Sequence, residues 1–450
     1  MADSTARSAS PHGAPAAAAS ESSLVRAVGL WGLAAAIANV TIGGGIFRLP
    51  AAAAGLLGPA APIAYIVCAV AMGLIVMCIA EAGSRVTLTG GPYAYVETAF
   101  GPYFGFMTGV LLWLGGTMAV ASVANVFADN FITMLPTGAT TLARGVSLVV
   151  AFTLAAIINL IGVKQGNRLN LVSTVAKLMP LLLLVVVGVF SIQSTNLQIV
   201  DMPSAKTITR ASILLLFAFA GVESALVPSG EIKNPERTVP RAIFIAVIGI
   251  ALLYITLQLV AQGVLGSALA HSSTPLADAA GIVFGGWGRS LLLIGVVIST
   301  FGYISGMTLA VPRALFAFGR DGFLPSAFAA VHARWRTPWV AILVQATIMC
   351  VLAITSGFEK LAVIANVALL LVYMGCALAA FQLRRRGVQT GGTPFKIPGA
   401  AIVPFLACAV IITLLTSITH QEWVVIVEVM IVATMIFFVS RSQRQKKNLS

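Results

Sequence analysis

Charge is scarce in this chain. Asp, Glu, Lys and Arg make up 9% of its 450 residues, and only 14 residues are acidic. A soluble globular domain of that length would carry far more charge on its surface, so that class is excluded. Histidine is scarcer still. His12, His271, His332 and His420 fall in the tail or in loops far apart in sequence, and no nucleophile stands near a base. Metal-ligand spacing is missing as well, so no catalytic residue, metal site or cofactor is expected, and the chain does not read as an enzyme. The five cysteines, Cys68, Cys78, Cys350, Cys376 and Cys408, lie in apolar stretches without framework spacing and are expected to be reduced, buried thiols. Residues 1–22 hold almost no bulky apolar residue and lack the continuous apolar core of a signal peptide, so they read as a disordered tail.

What the chain has in abundance is apolar length. Hydrophobic residues make up 59% of it and mean hydropathy is +0.99. Runs long enough to cross about 30 Å of hydrocarbon as helices recur throughout. Twelve spans are expected, at residues 24–51, 60–84, 93–128, 142–163, 169–192, 210–230, 240–266, 289–319, 338–356, 360–383, 400–419 and 423–440. The longest loops, 129–141, 193–209 and 267–288, are short, so residues 23–440 form one all-α membrane domain and residues 441–450 a basic tail. "NVT" at 39–41 matches a glycosylation acceptor but lies inside a span, out of reach.

The net charge of +13 could suggest a nucleic-acid partner, but its distribution argues otherwise. With a cytoplasmic N-terminus and an even number of spans, the inner loops collect most of the Lys and Arg. These include Arg384, Arg385 and Arg386, Lys164 with Arg168, the group Arg313, Arg320, Arg334 and Arg336, and the tail Arg441, Arg444, Lys446 and Lys447. The opposite side holds few, among them Arg144, Lys206, Arg210, Arg289 and Lys360. The basic excess therefore reports orientation in a cytoplasmic membrane with both termini inside, and no nucleic acid is expected.

Two spans are interrupted. The first carries "TIGGGIFRLP" at 41–50, and the sixth carries "FAFAGVESALVPSG" at 217–230. Glycine costs a helix interior about 1 kcal/mol and proline about 3, and in lipid each freed backbone group needs another partner. Two broken helices of opposite direction, five spans apart, are what an inverted 5+5 repeat would produce, here about 24–192 and 210–383, with residues 400–440 outside it. Breaks of this kind expose N–H groups on one half-helix and C=O groups on the other. Together they could hold a zwitterion, with its carboxylate on the N–H groups of Gly43, Gly44 and Gly45 and its ammonium on carbonyls around Ala218, Phe219 and Ala220. The competing explanation is that the three glycines are a packing face for a neighbouring helix. A dinucleotide loop is excluded because no βαβ unit surrounds them.

"IGGGIF", "GGPYAYVETAFGPYFGFMTG" at 90–109 and "FAFAGVESALVPSGEIKNPERTVPRAI" at 217–243 closely resemble the amino acid, polyamine and organocation (APC) transporter superfamily. The resemblance covers nearly all of the chain after the tail. It implies twelve transmembrane helices in the LeuT-type fold with helices 1 and 6 interrupted, alternating access and small-amine substrates, usually amino acids. It places the substrate carboxylate at Gly43, Gly44 and Gly45 and the amine at Ala218, Phe219, Ala220 and Gly221, with Ile42 also among the substrate-binding residues. Phe217 then resembles the aromatic gate over the substrate, unless it is a core or lipid-facing aromatic.

Charged residues inside spans are costly and usually face a cavity or a partner. In several proton-coupled members of the superfamily, a lysine at a place similar to Lys177 substitutes for a bound sodium ion between the first and eighth helices. Ser299, Thr300 and Ser305 are the expected eighth-helix partners; the alternative is a snorkelling or structurally paired lysine. Glu223, at the sixth-span break, is either a proton acceptor or a tie between half-helices. Arg48 either bonds a carboxylate or carbonyl, or faces the pathway and disfavours cationic substrates. The loop "GEIKNPERTVPRA" reads as a cytoplasmic hinge and gate rather than a phosphate motif. The expected function is a secondary transporter of zwitterionic amino acids working by proton symport or exchange, with a polyamine or amine carrier as the alternative. Partners are protons, substrate and lipid. A channel would show a repeated filter sequence rather than two unlike breaks.

Overall fold

The computed structural model describes residues 29–86, 91–135, 140–161, 166–221, 235–389, 394–397, 399 and 401–447, excluding the side chains of 166–176, 235–236 and 442–447. The described residues form α-helices and short 3-10 turns, with no strand among them. Seven helical stretches are long and apolar enough to cross a membrane: Leu49–Arg85, Pro102–Thr133, Thr141–Ile161, Arg237–His271, Gly286–Arg320, Phe358–Arg385 and His420–Arg441. Shorter apolar helices run over Leu30–Thr41, Lys177–Ser191, Pro275–Phe284, Trp339–Thr355 and Ile402–Leu415.

In chain order the helices are α1 (Leu30–Thr41), α2 (Leu49–Leu57), α3 (Ala61–Arg85), α4 (Pro92–Phe100), α5 (Pro102–Thr133), α6 (Thr141–Ile161), α7 (Gly166–Gly188) and α8 (Ala205–Leu215). They continue with α9 (Pro235–Leu265), α10 (Pro275–Phe284), α11 (Gly286–Ala310), α12 (Pro312–Arg320), α13 (Trp339–Thr355), α14 (Phe358–Arg385), α15 (Ile402–Leu415) and α16 (His420–Lys447). Two sequence expectations need correction. Residues 93–128 are not one helix, because Gly101 at φ 93° turns the chain between α4 and α5, a conformation L residues rarely adopt. The segment 267–288, expected as loop, contains α10, whose first turn starts on Pro275 and whose apolar face is buried by α11.

The helices sort by what they bury. α1 and α3 pack on α9, while α6, α11 and α13 pack around one another and on α5. α14 lies between the two groups, against α5 on one side and α3 on the other. α6 illustrates why so apolar a helix still has a definite orientation: Ser147, Ala151, Ala155 and Asn159 are buried along one face, whereas Val146, Val150, Leu154 and Ile157 are exposed along the other. Small and polar residues face protein and bulky apolar ones face outward, the pattern of a helix packed in lipid. Some polar side chains are paired across helices. Trp113 Nε1 donates to Gln345 Oε1 at 2.8 Å, and Gln345 Nε2 donates to Thr117 Oγ1 at 2.9 Å, joining α5 to α13. All five cysteines are free thiols; Cys68, Cys78 and Cys376 are buried.

Candidate functional site

α1 stops at Thr41. Ile42 leaves the helical region, Gly43 is extended at φ −95° and ψ −162°, and a single 3-10 turn, Gly44–Phe47, follows before α2. The first N–H groups of such a turn have no partner within it. α8 begins with Ser204, whose side chain accepts a hydrogen bond from the Thr207 N–H at 3.2 Å, and it tightens into a 3-10 turn at Leu216–Ala218. Gly221 then turns at φ 107°, and its Cα faces Val40, so that a Cβ there would lie 3.2 Å from Val40 Cγ1. The two interruptions are therefore in contact.

Between them lies a cavity of about 290 Å³. Gly43, Gly44, Gly45, Phe217, Ala220 and Gly221 line it from the breaks. The facing wall comes from three distant helices: Gly116, Ala119 and Val123 of α5, Tyr303 and Met307 of α11, and Leu369 of α14. Pro92 and Leu112 extend the lining toward the start of α4 and α5, and no charged side chain is among the described lining residues. Phe217 closes the other side, edge-on to Phe358 with ring centroids 5.7 Å apart. Of the expected substrate residues, Ile42, Ala218 and Phe219 are buried but do not line the cavity. The Ala218 carbonyl instead accepts a hydrogen bond from the Tyr254 hydroxyl at 2.9 Å. Glu223 lies outside the described residues.

The three glycines are not equivalent. A Cβ on Gly44 would come within 2.5 Å of Val123 Cγ1, and one on Gly45 within 2.6 Å of Phe217 Cδ1. Close packing thus requires glycine at both positions. At Gly43 the nearest atom is the Thr41 carbonyl oxygen at 3.8 Å, which leaves the backbone open toward the cavity. Packing thus accounts for glycine at 44 and 45 and not at 43.

Lys177 is buried, and its Nζ donates to the Asn39 carbonyl oxygen at 2.5 Å, at the end of α1. The expected eighth-helix hydroxyls are on the neighbouring α11 but do not bond it. Thr300 Oγ1 donates to the Val296 carbonyl at 2.6 Å, the Ser305 carbonyl accepts from Asn159 Nδ2 at 2.8 Å, and Ser299 is buried nearby without a hydrogen bond to Lys177. Among the described residues, Lys177 is thus hydrogen-bonded to the first interrupted helix and not to α11.

Two helix interruptions meet over a small cavity without charge among its described lining residues, and a buried lysine of α7 bonds one of them; comparison with known proteins shows what kind of protein this is. The amino acid permease family model matches residues 28–440. The chain belongs to that family. The permease is 27% identical over 403 residues to the serine/threonine exchanger SteT of Bacillus subtilis (strain 168), an alignment covering 86% of this chain and 90% of the relative. It is 26% identical over 462 residues to the branched-chain amino acid permease BcaP of the same organism, covering 96% and 97%. The methylthioribose transporter of that organism is 27% identical over 438 residues, covering 92% and 93%. Family and relatives are membrane transporters rather than enzymes.

Arg48 of the permease is not among the residues lining the cavity. Its Nη1 donates to the Ser272 carbonyl at 2.9 Å, just before α10. Asp278 anchors the same corner, accepting from Ser272 Oγ at 2.5 Å, Thr274 Oγ1 at 3.1 Å and Arg289 Nε at 3.2 Å. Sequence reasoning missed the far wall of the cavity and Tyr254. The Gly115–Gly116 pair in α5 was the one local signal for that wall.

Proposed function

We propose that the permease carries amino acids across the cytoplasmic membrane by alternating access, driven by proton symport or working as an exchanger. The observation that carries this reading is the cavity formed where the two helix interruptions meet. The N–H groups of Gly44 and Gly45, which open the 3-10 turn, suit the substrate carboxylate, whereas the Gly43 N–H already donates to the Thr41 carbonyl at 2.7 Å; the backbone carbonyl of Ala220, on the cavity wall, suits the ammonium. The uncharged wall of Val123, Met307 and Leu369 suits a neutral side chain and leaves a polyamine's second ammonium without a counter-charge among the described lining residues. In this reading, twelve helices cross the membrane as a LeuT-type 5+5 inverted repeat, with residues 1–22 and 441–450 as cytoplasmic tails. The cavity then extends toward the cytoplasm past Pro92, with Phe217 and the Arg48–Ser272 contact closing the outer side. Lys177 and Glu223 are the candidate proton-coupling groups.

Counterflow of a labelled neutral amino acid in proteoliposomes tests the proposal. Saturable, stereoselective exchange, competed by other neutral amino acids and not by putrescine, is the expected result. Stronger competition by putrescine would reverse the assignment in favour of an amine carrier, and non-saturable flux would point to a channel.

A further inference from the structure

Two further cavities share no lining residue with the one between the breaks. The first, of about 840 Å³, lies where α4, the start of α5, the end of α12 and the last turns of α16 come together. Glu97, Asp321, Arg320 and Arg441 line it, so its acidic and basic charges balance. Arg320 is paired with Asp321 at 3.0 Å, whereas Glu97 and Arg441 enter no ion pair among the described residues; Glu97 has the neutral Tyr93 hydroxyl beside it. The second cavity, of about 360 Å³, adjoins the first through Phe106 and Phe323, whose rings line both with centroids 4.4 Å apart. Its wall of Val110, Trp113, Leu315, Val429 and Val432 is apolar. Val432 and Phe104, one on each cavity, are both half exposed, so the pair opens sideways toward lipid.

We propose that the two cavities form one site for a zwitterionic phospholipid with a primary ammonium, phosphatidylethanolamine, its phosphate on Arg441, its ammonium on Glu97 and one acyl chain in the apolar groove. Charge selects the headgroup. A balanced rim gives an anionic lipid no net attraction and sets the Glu97 carboxylate against it, whereas a headgroup carrying both charges satisfies both open groups through charge-assisted hydrogen bonds. A trimethylated ammonium has no N–H to donate to Glu97. Length selects the tail. Val429 is twelve residues along α16 from Arg441, or about 18 Å, close to the roughly 15 Å of hydrocarbon in one leaflet. Glu428, the one charged residue among the described lining of the groove, stands beyond that reach. In the orientation proposed above this is the cytoplasmic leaflet. α4 borders both sites, through Pro92 on the cavity between the breaks and through Tyr93 and Glu97 on the lipid site.

The test is a titration of delipidated, detergent-purified protein with phosphatidylethanolamine, phosphatidylcholine or phosphatidylglycerol of the same acyl chains. The unfolding midpoint is the readout, because a ligand that binds only the folded state raises it. Phosphatidylethanolamine should act at the lowest concentration, with each of the other two lipids needing about tenfold more for half-maximal stabilisation. Glu97→Gln and Arg441→Gln should each raise the phosphatidylethanolamine requirement about tenfold. Val432→Trp, which fills the groove from a half-exposed position, should weaken all three lipids alike. The quantity compared is the lipid-induced shift within each variant, so a lower midpoint without lipid does not mimic the expected result. Equal action of the three lipids, or an unchanged preference in Glu97→Gln, would overturn the proposal. A preference for phosphatidylglycerol would also overturn it, in favour of an anionic lipid held by the arginines alone.

Discussion

At Gly43 an added methyl group would project into open space, whereas at Gly45 it would strike the Phe217 ring. That difference changes which substitution best tests the binding segment. Gly45→Val would abolish binding either by filling the carboxylate site or by displacing the gate aromatic, and the two causes could not be separated. Gly43→Ala requires no backbone strain at φ −95° and meets nothing closer than 3.8 Å. It should weaken substrate affinity about tenfold while the thermal unfolding midpoint stays at the wild-type value. Gly73→Ala in α3, where the added methyl also meets nothing, is the control. Lys177 is the second residue whose neighbours define its test. Its ammonium bonds the Asn39 carbonyl at the foot of the first break, so a proton on Lys177 favours the arrangement in which α1 is held against α7. Lys177→Gln should lose pH-driven accumulation in proteoliposomes while retaining exchange, and sodium should be dispensable in the wild type. A Lys177→Gln protein that still concentrates substrate under an imposed proton gradient would move the coupling role to Glu223.

Between elements, charged residues hold opposite ends of the bundle. At one end Glu81 of α3, completely buried, accepts from Arg85 Nε at 3.0 Å and from Arg384 Nε of α14 at 2.7 Å. The Ile397 N–H, beyond the end of α14, approaches the same carboxylate at 3.4 Å. Such a cluster joins α3, α14 and the segment leading to α15 through one carboxylate. Its value lies in positioning more than in net stability, since desolvation offsets much of the attraction. Removing only the carboxylate is another matter, because the buried Arg85 guanidinium is left without its counter-charge. Glu81→Ala should cost about 3 kcal/mol, read as a lowered unfolding midpoint in detergent. Arg384→Ala should cost less, because that side chain is partly exposed and Glu81 keeps Arg85. At the other end the Arg48–Ser272–Asp278 corner joins the half-helix α2 to α10.

Across the whole molecule the distribution of Lys and Arg sets the orientation to be tested. Cysteines substituted at Ser23 and Ser442 should resist membrane-impermeant maleimide in intact cells and react after permeabilisation. Labelling of either from outside would reverse the proposed topology and, with it, the direction in which the cavity opens. The same experiment bears on mechanism, because Phe217 and Arg48 act as outer closures only in that orientation.

Composition and hydropathy were enough to determine a helical membrane protein, and local motifs were enough to determine its family and the positions of both interruptions. A glycine triplet in an apolar run, or a "FAFAG" segment, announces itself within a few residues because the local cost of breaking a helix in lipid is high. Many helix ends were legible to within a few residues for the same reason, but a glycine at positive φ split α4 from α5, and α10 formed in a segment read as loop. The partners of those segments were not legible. In a membrane helix both the lipid-facing and the protein-facing sides are apolar, so periodicity carries little information about which face meets which neighbour. Val123, Tyr303 and Leu369 converge on the breaks from three helices widely separated in sequence, Arg48 finds an acceptor 224 residues away, and Tyr254 finds one carbonyl 36 and another 213 residues away. Only the tertiary packing of the helices decided these contacts, because only packing brings a side chain to a carbonyl that no local pattern marks.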